Sequence, residues 1–299
     1  MTLPGPFGIG SVGSRRRPRA PSRVARALCL ALALVLCPAR YATGQAQPGT
    51  IKITFFDVGQ GDAILISTPQ HKHVLIDGGP NGRIVSLLRE AGVDTLALVV
   101  ATHPDADHIG GLGEVLRLVP VRLLLDNGDP ASTRTYRRLR LAMVEANVPY
   151  LAPVDTTIRF GSMAFHIIPS PVKETHSDND RSVVVGIQWG SFSALFPGDA
   201  EFAEIQALLA KGMERVVLLK AAHHGARNGV TPAWLQALRP SVVVIPVGDR
   251  NRYGHPDPWA VRYYQAGNRQ VYRTDQDGTV TVRADTSGKF TVTTSRASN

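Results

Sequence analysis

The stretch His103-Pro-Asp105-Ala-Asp107-His108, followed after Ile109 by Gly110-Gly111, sets two imidazoles and two carboxylates within six residues. Where thiolates are lacking, imidazole nitrogens and carboxylate oxygens are the atoms that hold a divalent cation. Further groups of this kind stand at the ends of apolar runs: Asp77 in LIDGG, Asp199 in FPGDA, His223 and His224 in LKAAHHGA, and His255 in YGHP. Each has an ordinary reading alone, as a turn aspartate, a helix N-cap or a satisfied loop histidine. Together they form the ligand set of a two-metal hydrolytic site, in which metal-activated water is the natural attacking group.

The elements that must position these residues are read from the hydrophobic pattern. Short apolar runs over 51–56, 63–67, 73–76, 96–102, 121–125, 182–188, 193–196, 216–220 and 242–246 are predicted strands, and 271–274, 280–284 and 290–293 close the chain in the same manner. Helices are predicted over 83–91, 112–118, 133–146, 201–210, 232–238 and 256–266. Strands apolar on both faces and interspersed with helices imply an α/β fold with covered sheets. The candidate ligands fall where such strands end, the place where polar side chains converge in open α/β sheets.

The bulk charge adds little. Of 299 residues with a net charge of +9, the first 46 hold seven arginines and no acidic residue, and beyond them 26 basic side chains face 24 acidic ones. The arginine-rich start leads into the apolar run 27–37 and then Gly44-Gln45-Ala46. This run is too short for the ~20 residues of a membrane span and has the form of a signal peptide. Residues 1–46 are therefore expected to be a cleaved leader, and 47–299 one exported hydrolase domain, periplasmic or extracellular, with no transmembrane domain in the mature chain. Both cysteines, Cys29 and Cys37, lie in that leader, which leaves no thiolate ligand, thiolate nucleophile or disulfide to the mature part.

Eight segments in order, FFDVGQGDA (55–63), LIDGG (75–79), THPDADHIGG (102–111), NDRSVVV (179–185), FPGDA (196–200), LKAAHHGA (219–226), GDRNRYGHPD (248–257) and YRTDQDG (272–278), together resemble the metallo-β-lactamase fold superfamily. Within it they are most similar to the soluble hydrolase domain of ComEC-type DNA-internalisation competence proteins. The resemblance implies an αββα four-layer sandwich and two divalent ions, Zn²⁺ or Mn²⁺. It assigns His103 and Asp105 to a first metal, Asp107 and His108 to a second, and Asp199 to a bridge between them. His223 is the preferred last ligand of the second metal, and His224 either orients a ligand or donates a proton, with the two roles exchangeable. Asp77 and Asp62 would orient ligands, and Asn179 or Asp180 could supply an oxygen where other superfamily members have a further histidine; His176 is nearby but out of register. Asp107, His224 and His255 are the candidate catalytic residues, with Tyr253 and Tyr136 as candidates for base stacking.

The resemblance favours a phosphodiester substrate, nucleic acid in particular, contacted through its backbone rather than by sequence. Arg134, Arg137, Arg138 and Arg140 on one predicted helix suit phosphate. A small phosphodiester or phosphocholine ester, a β-lactam, and non-catalytic binding are the other readings.

Overall fold

Strand after strand in this chain is apolar on both faces, and the fold follows from covering all of those faces. A computed structural model describes residues 49–173 and 177–296, which fall within one compact unit. The expected leader and His176 lie outside the described residues. In chain order, β1 (Ile51–Phe55), β2 (Ile64–Ser67), β3 (His73–Ile76), β4 (Leu98–Val100), β5 (Leu124–Leu125) and β6 (Tyr150–Leu151) belong to one sheet. A second sheet takes β7 (Thr156–Phe160), β8 (Met163–Ile168), β9 (Val184–Trp189), β10 (Phe192–Phe196), β11 (Leu218–Lys220), β12 (Val242–Ile245) and β13 (Gln270–Arg273). The chain then returns to the first sheet as β14 (Val280–Ala284), which pairs with β1, and β15 (Phe290–Thr294). The helices are α1 (Arg83–Glu90), α2 (Ala106–Ile109), α3 (Leu112–Leu118), α4 (Arg134–Glu145), α5 (Phe202–Ala210), α6 (Pro232–Leu238), α7 (Pro258–Gln265) and α8 (Thr274–Asp277).

Because side chains alternate across a strand, neighbouring residues enter different cores. Val74 and Ile76 meet Phe165, Phe196 and Val244 between the two sheets, while Leu75 faces Leu88, Leu112 and Leu139 of the helices outside the first sheet. Leu195, Leu219 and Val243 likewise face Leu208, Trp234 and Tyr264 outside the second. Three apolar layers separate four layers of structure, helix–sheet–sheet–helix, as the family resemblance implied.

Each sheet runs antiparallel at first and then switches to parallel pairing: at β3/β4 in the first sheet and at β10/β11 in the second. Asp77 follows β3, His103 follows β4, Asp199 follows β10 and His224 follows β11. The candidate residues therefore come from both switch points, where neighbouring chain ends diverge and leave a crevice. The hairpin β7–β8 was not among the predicted strands. Its two-residue turn, Gly161-Ser162 between the paired Phe160 and Met163, is the hairpin signal that sequence reading passed over.

Candidate metal centre

The loop after β4 is held by Asp77. Its Oδ1 accepts the Thr102 backbone N–H (2.8 Å), and its Oδ2 accepts the Thr102 hydroxyl (2.7 Å) and His108 Nδ1–H (2.8 Å). Asp77 itself stands at φ 57, a left-handed conformation that costs an L-residue roughly 1–2 kcal/mol and is held here by three buried hydrogen bonds. Gly110 and Gly111 let α2 and α3 pack on the loop following Asp77: a Cβ on Gly110 would fall 2.2 Å from the Pro80 carbonyl, and one on Gly111 2.3 Å from that of Asn81. They thus fit the ligand loop against the first sheet.

Four buried side chains, Asp62, His108, Asp199 and His224, each bring a donor atom within 4.8 Å of the others. His108 Nε2 and His224 Nε2 face each other at 3.2 Å, and both lie 3.2 Å from Asp199 Oδ2. Asp107 Oδ2 stands 3.4 Å from His224 Nε2. The tautomers follow from the outer partners. His108 Nδ1 donates to Asp77, and His224 Nδ1 donates to the Pro246 carbonyl at 2.9 Å, so each neutral ring turns an unprotonated Nε2 inward. Converging nitrogen lone pairs with two carboxylates, each imidazole held by an outer acceptor, is the arrangement of a metal site. The donor set fits a divalent cation.

The electrostatics agree. Burial alone would lower the pKa of His108, but the Asp199, Asp77 and Asp62 carboxylates outweigh it and hold the imidazole well above the ordinary value. Burial is likewise overcome at His224, mainly by Asp199 and Asp62. Asp199, Asp62 and Asp107 all stand below the ordinary carboxylate range despite burial, which opposes the shift. The pocket is built to hold positive charge.

Part of that charge is permanent. Lys220, the last residue of β11, is fully buried and places Nζ 2.5 Å from Asp62 Oδ2, 3.0 Å from Asp199 Oδ1 and 2.7 Å from the Gly198 carbonyl. The side of Asp199 expected to bridge to another ion is thus taken by an ammonium. Asp62 Oδ1 also lies 3.3 Å from His224 Nδ1. Sequence reading left Lys220 aside, although a lysine closing the apolar run VVLLK was a signal, because a buried ammonium requires partners.

The other expected residues lie around this cluster. His103 Nδ1 meets the Thr102 hydroxyl at 3.1 Å, and its buried Nε2 has no hydrogen-bond partner. Asp105 Oδ2 lies 3.7 Å from that nitrogen on a half-exposed side chain. His223 turns away from the four-residue cluster: Nδ1 lies 3.3 Å from Glu201 Oε1, and Nε2 lies 3.3 Å from Asn179 Nδ2. The backbone explains the divergence, since His223 (φ 48) and His224 (φ 51) are both left-handed and send successive rings to different sides. His255 packs edge-on against His223 and is stacked with Tyr253. Asp180 Oδ1 accepts the backbone N–H groups of Glu201 and Glu204, fixing the start of α5. Tyr136 sits on α4, packed against the helices outside the first sheet.

Beneath the Asp199 loop lies Glu204, also missed in the sequence. Its Oε2 accepts the Ser182 N–H at 3.2 Å, while Ser182 Oγ accepts the Asp199 N–H at 3.0 Å. Burial pushes the Glu204 carboxyl up to about 9. An unfolded glutamate titrates near pH 4.3, so between that pH and about 9 unfolding releases a proton, and stability present in acid is lost as pH rises. Glu204→Gln should therefore stabilise the fold by about 3 kcal/mol at pH 7 and by almost nothing near pH 4. Urea unfolding at the two pH values measures this, and equal midpoints for both proteins at pH 7 would contradict it.

Comparison with known proteins follows the same lines. A family model described as the metallo-beta-lactamase superfamily matches residues 56–249. The chain is 26% identical over 254 residues to ComE operon protein 3 of Bacillus subtilis, covering 78% of this chain and 33% of that protein. It is 26% identical to Recombination protein 2 of Haemophilus influenzae, covering 79% and 28%, and 25% identical to Competence protein ComA of Neisseria gonorrhoeae, covering 76% and 31%. The chain thus spans about a third of the length of these relatives. Among solved structures, the metallo-beta-lactamase fold protein YhfI of Bacillus subtilis superposes with a TM-score of 0.53 at 12% identity, covering 82% of this chain and 99% of that one.

Proposed function

The chain belongs to the metallo-β-lactamase superfamily of metal-dependent hydrolases, and from that premise we propose that it cleaves phosphodiesters, with a nucleic-acid strand as substrate. The observation that carries the hydrolase reading is the buried set Asp62, His108, Asp199 and His224 with its two inward Nε2 atoms. Asp107, His108, Asp199 and His224 would hold one ion. His103, whose buried Nε2 lacks a partner, and Asp105 would hold a second, with Zn²⁺ or Mn²⁺ as the ions. A divalent cation in this position supplies Lewis-acid charge and an activated water.

The protein's own side chains do the rest. Asp77 and Pro246 fix the imidazoles as inward acceptors, and Lys220 neutralises Asp62 while aiming Asp199 Oδ2 at the ion. His223, oriented by Glu201, lines the cleft and would hand a proton to the leaving oxygen once its Nε2 exchanges the Asn179 amide for substrate. His255 is held below the ordinary histidine pKa, chiefly by burial and next by His223 and His224, so it is neutral at pH 7 and able to accept a proton or steady a phosphoryl oxygen. Nucleic acid is favoured because the similar proteins carry competence and recombination names, and because Arg252 and Arg227 line the clefts on either side of the centre. The leader-like N-terminus supports export to the periplasm or beyond.

The test is to load the protein with Zn²⁺ or Mn²⁺ and assay single- and double-stranded DNA, a chromogenic phosphodiester, a phosphocholine ester and a chromogenic cephalosporin. Phosphodiester cleavage that is lost in the Asp107→Ala, His108→Ala variant is expected. Activity unchanged in that variant would falsify the metal-hydrolase reading, and cephalosporin turnover without phosphodiester cleavage would remove the nuclease reading.

A further inference from the structure

We propose that the cleft on the His223 side of the metal centre is a subsite for one unpaired nucleobase, so that the strand cleaved is single-stranded at the scissile linkage. The inference rests on the phosphodiesterase reading above and adds to it the form of the substrate. The cleft, about 370 Å³, is lined by Phe202, His223, Arg227, Asn228, Tyr253 and His255 among others. A second cleft of about 510 Å³ carries Asp105 and Asp107 of the ligand loop. Tyr253 borders both, so a strand crossing the centre passes from one cleft to the other along its ring.

Two exposed aromatic rings mark the subsite. Only 6% of the chain is aromatic, and most described rings lie in the cores. Phe202 and Tyr253 are 48% and 50% exposed, and both line this one cleft. Tyr150, the other exposed aromatic side chain among the described residues, lines neither cleft. Keeping a phenylalanine half in water forgoes about half of the ~1.5–3 kcal/mol of full burial, and a planar ligand recovers that loss.

Tyr253 is fixed before any ligand arrives. Its ring stacks on His255 at 5.9 Å and 16°, with the Arg252 guanidinium 5.0 Å from its centre on an aromatic face. The Asn251 side chain ties the loop together, accepting the N–H groups of Tyr253 and His255 and donating to the carbonyls of Gly248 and His255. A preset platform lowers the ordering cost of binding. Asn228 offers an amide to a base edge, and Arg227, 5.0 Å over the Trp259 ring, offers a fork to phosphate. The Asp257 carboxylate on the same wall is engaged at the Trp259 N–H (2.7 Å). A base within a duplex cannot give its face to these rings without leaving the stack, whereas an unpaired base can, at a gain of about 1–3 kcal/mol for one stacked base.

The experiment uses the full chain loaded with Mn²⁺ or Zn²⁺, a labelled oligothymidylate, the same strand made abasic throughout, and a duplex of equal length. Cleavage is followed kinetically, and binding is read independently by fluorescence anisotropy. Oligothymidylate should be preferred over both competitors. Phe202→Ala and Tyr253→Ala should each weaken its binding and raise KM by about 5- to 150-fold, with kcat and metal content nearly unchanged and Phe202→Trp retaining affinity. Equal handling of the abasic strand, equal handling of the duplex, or unaltered binding in the double alanine variant would each overturn the subsite. If no strand is cleaved with either metal, the phosphodiesterase reading falls, and anisotropy still decides the subsite: tighter binding of oligothymidylate than of the abasic strand upholds it, and equal binding removes it.

Discussion

His224→Ala protein will emerge without its metal, and His223→Ala protein will keep it. The two residues are neighbours of the same type, yet their rings do different things. His224 Nε2 lies 3.2 Å from both His108 Nε2 and Asp199 Oδ2, so its removal should delete a proposed ligand, and affinity should fall by more than the ~10–100-fold that losing an outer hydrogen-bond partner costs. Hydrolysis should fall with it, and excess metal should restore only part. His223 has its ring between Glu201 and Asn179. Its alanine variant should hold metal within about twofold of the parent while turning over 10²–10⁴-fold more slowly, the usual contribution of a general acid. Metal content per chain, measured beside kcat for both variants, decides between the rings. A metal-free His223→Ala protein with a metal-loaded His224→Ala protein would reverse the assignment.

The second large effect is on folding. Lys220→Met removes the ammonium that lies between Asp62 and Asp199 and leaves two buried carboxylates facing each other's charge. Breaking a buried ion pair from one side costs about 3–5 kcal/mol, which for a domain of this size lowers the Tm by roughly 10 °C. Two controls make the origin legible. Adding Asp62→Asn to Lys220→Met should recover much of the loss, because one stranded charge is gone. Supplying Zn²⁺ should stabilise Lys220→Met more than it stabilises the parent, because the cation replaces some of the missing charge. Thermal unfolding of the three proteins with and without metal reads every one of these states, and a Lys220→Met protein that melts within ~2 °C of the parent would show that the triad contributes little.

The layers of the fold were legible because the strands are apolar on both sides. Leu-Val-Val of β4 and Val-Val-Val-Ile of β12 admit no solvent face, so helices had to cover both sheets. The hairpin β7–β8 was not legible by that rule, since Thr-Thr-Ile-Arg-Phe of β7 alternates between half-buried and exposed positions at a sheet edge. At the site, the clustering of His103, Asp105, Asp107 and His108 pointed to metal chemistry without any structure. The order within His223-His224 could not be read, because two left-handed backbone conformations in succession leave no trace in residue type. Asp62 and Lys220 are separated by more than half of the described chain, so their ion pair exists only once the two sheets have met. Nothing in the residue type singles out Glu204 within its helix, and only the closeness of the Ser182 and Asp199 loops makes it a buried residue.

The closure of the first sheet by β14 bears on how such a chain is made. Among the described strands β1 is synthesised first, and the edge it turns to β14 has no partner until Val280–Ala284 has been made. For most of translation the nascent chain therefore carries an open, apolar strand edge, the feature through which incomplete chains associate with one another. Metal cannot shield it earlier, because half of the ligand set follows residue 198. Chaperone occupancy during synthesis, and aggregation of chains truncated before Val280, follow directly from the pairing of β1 with β14.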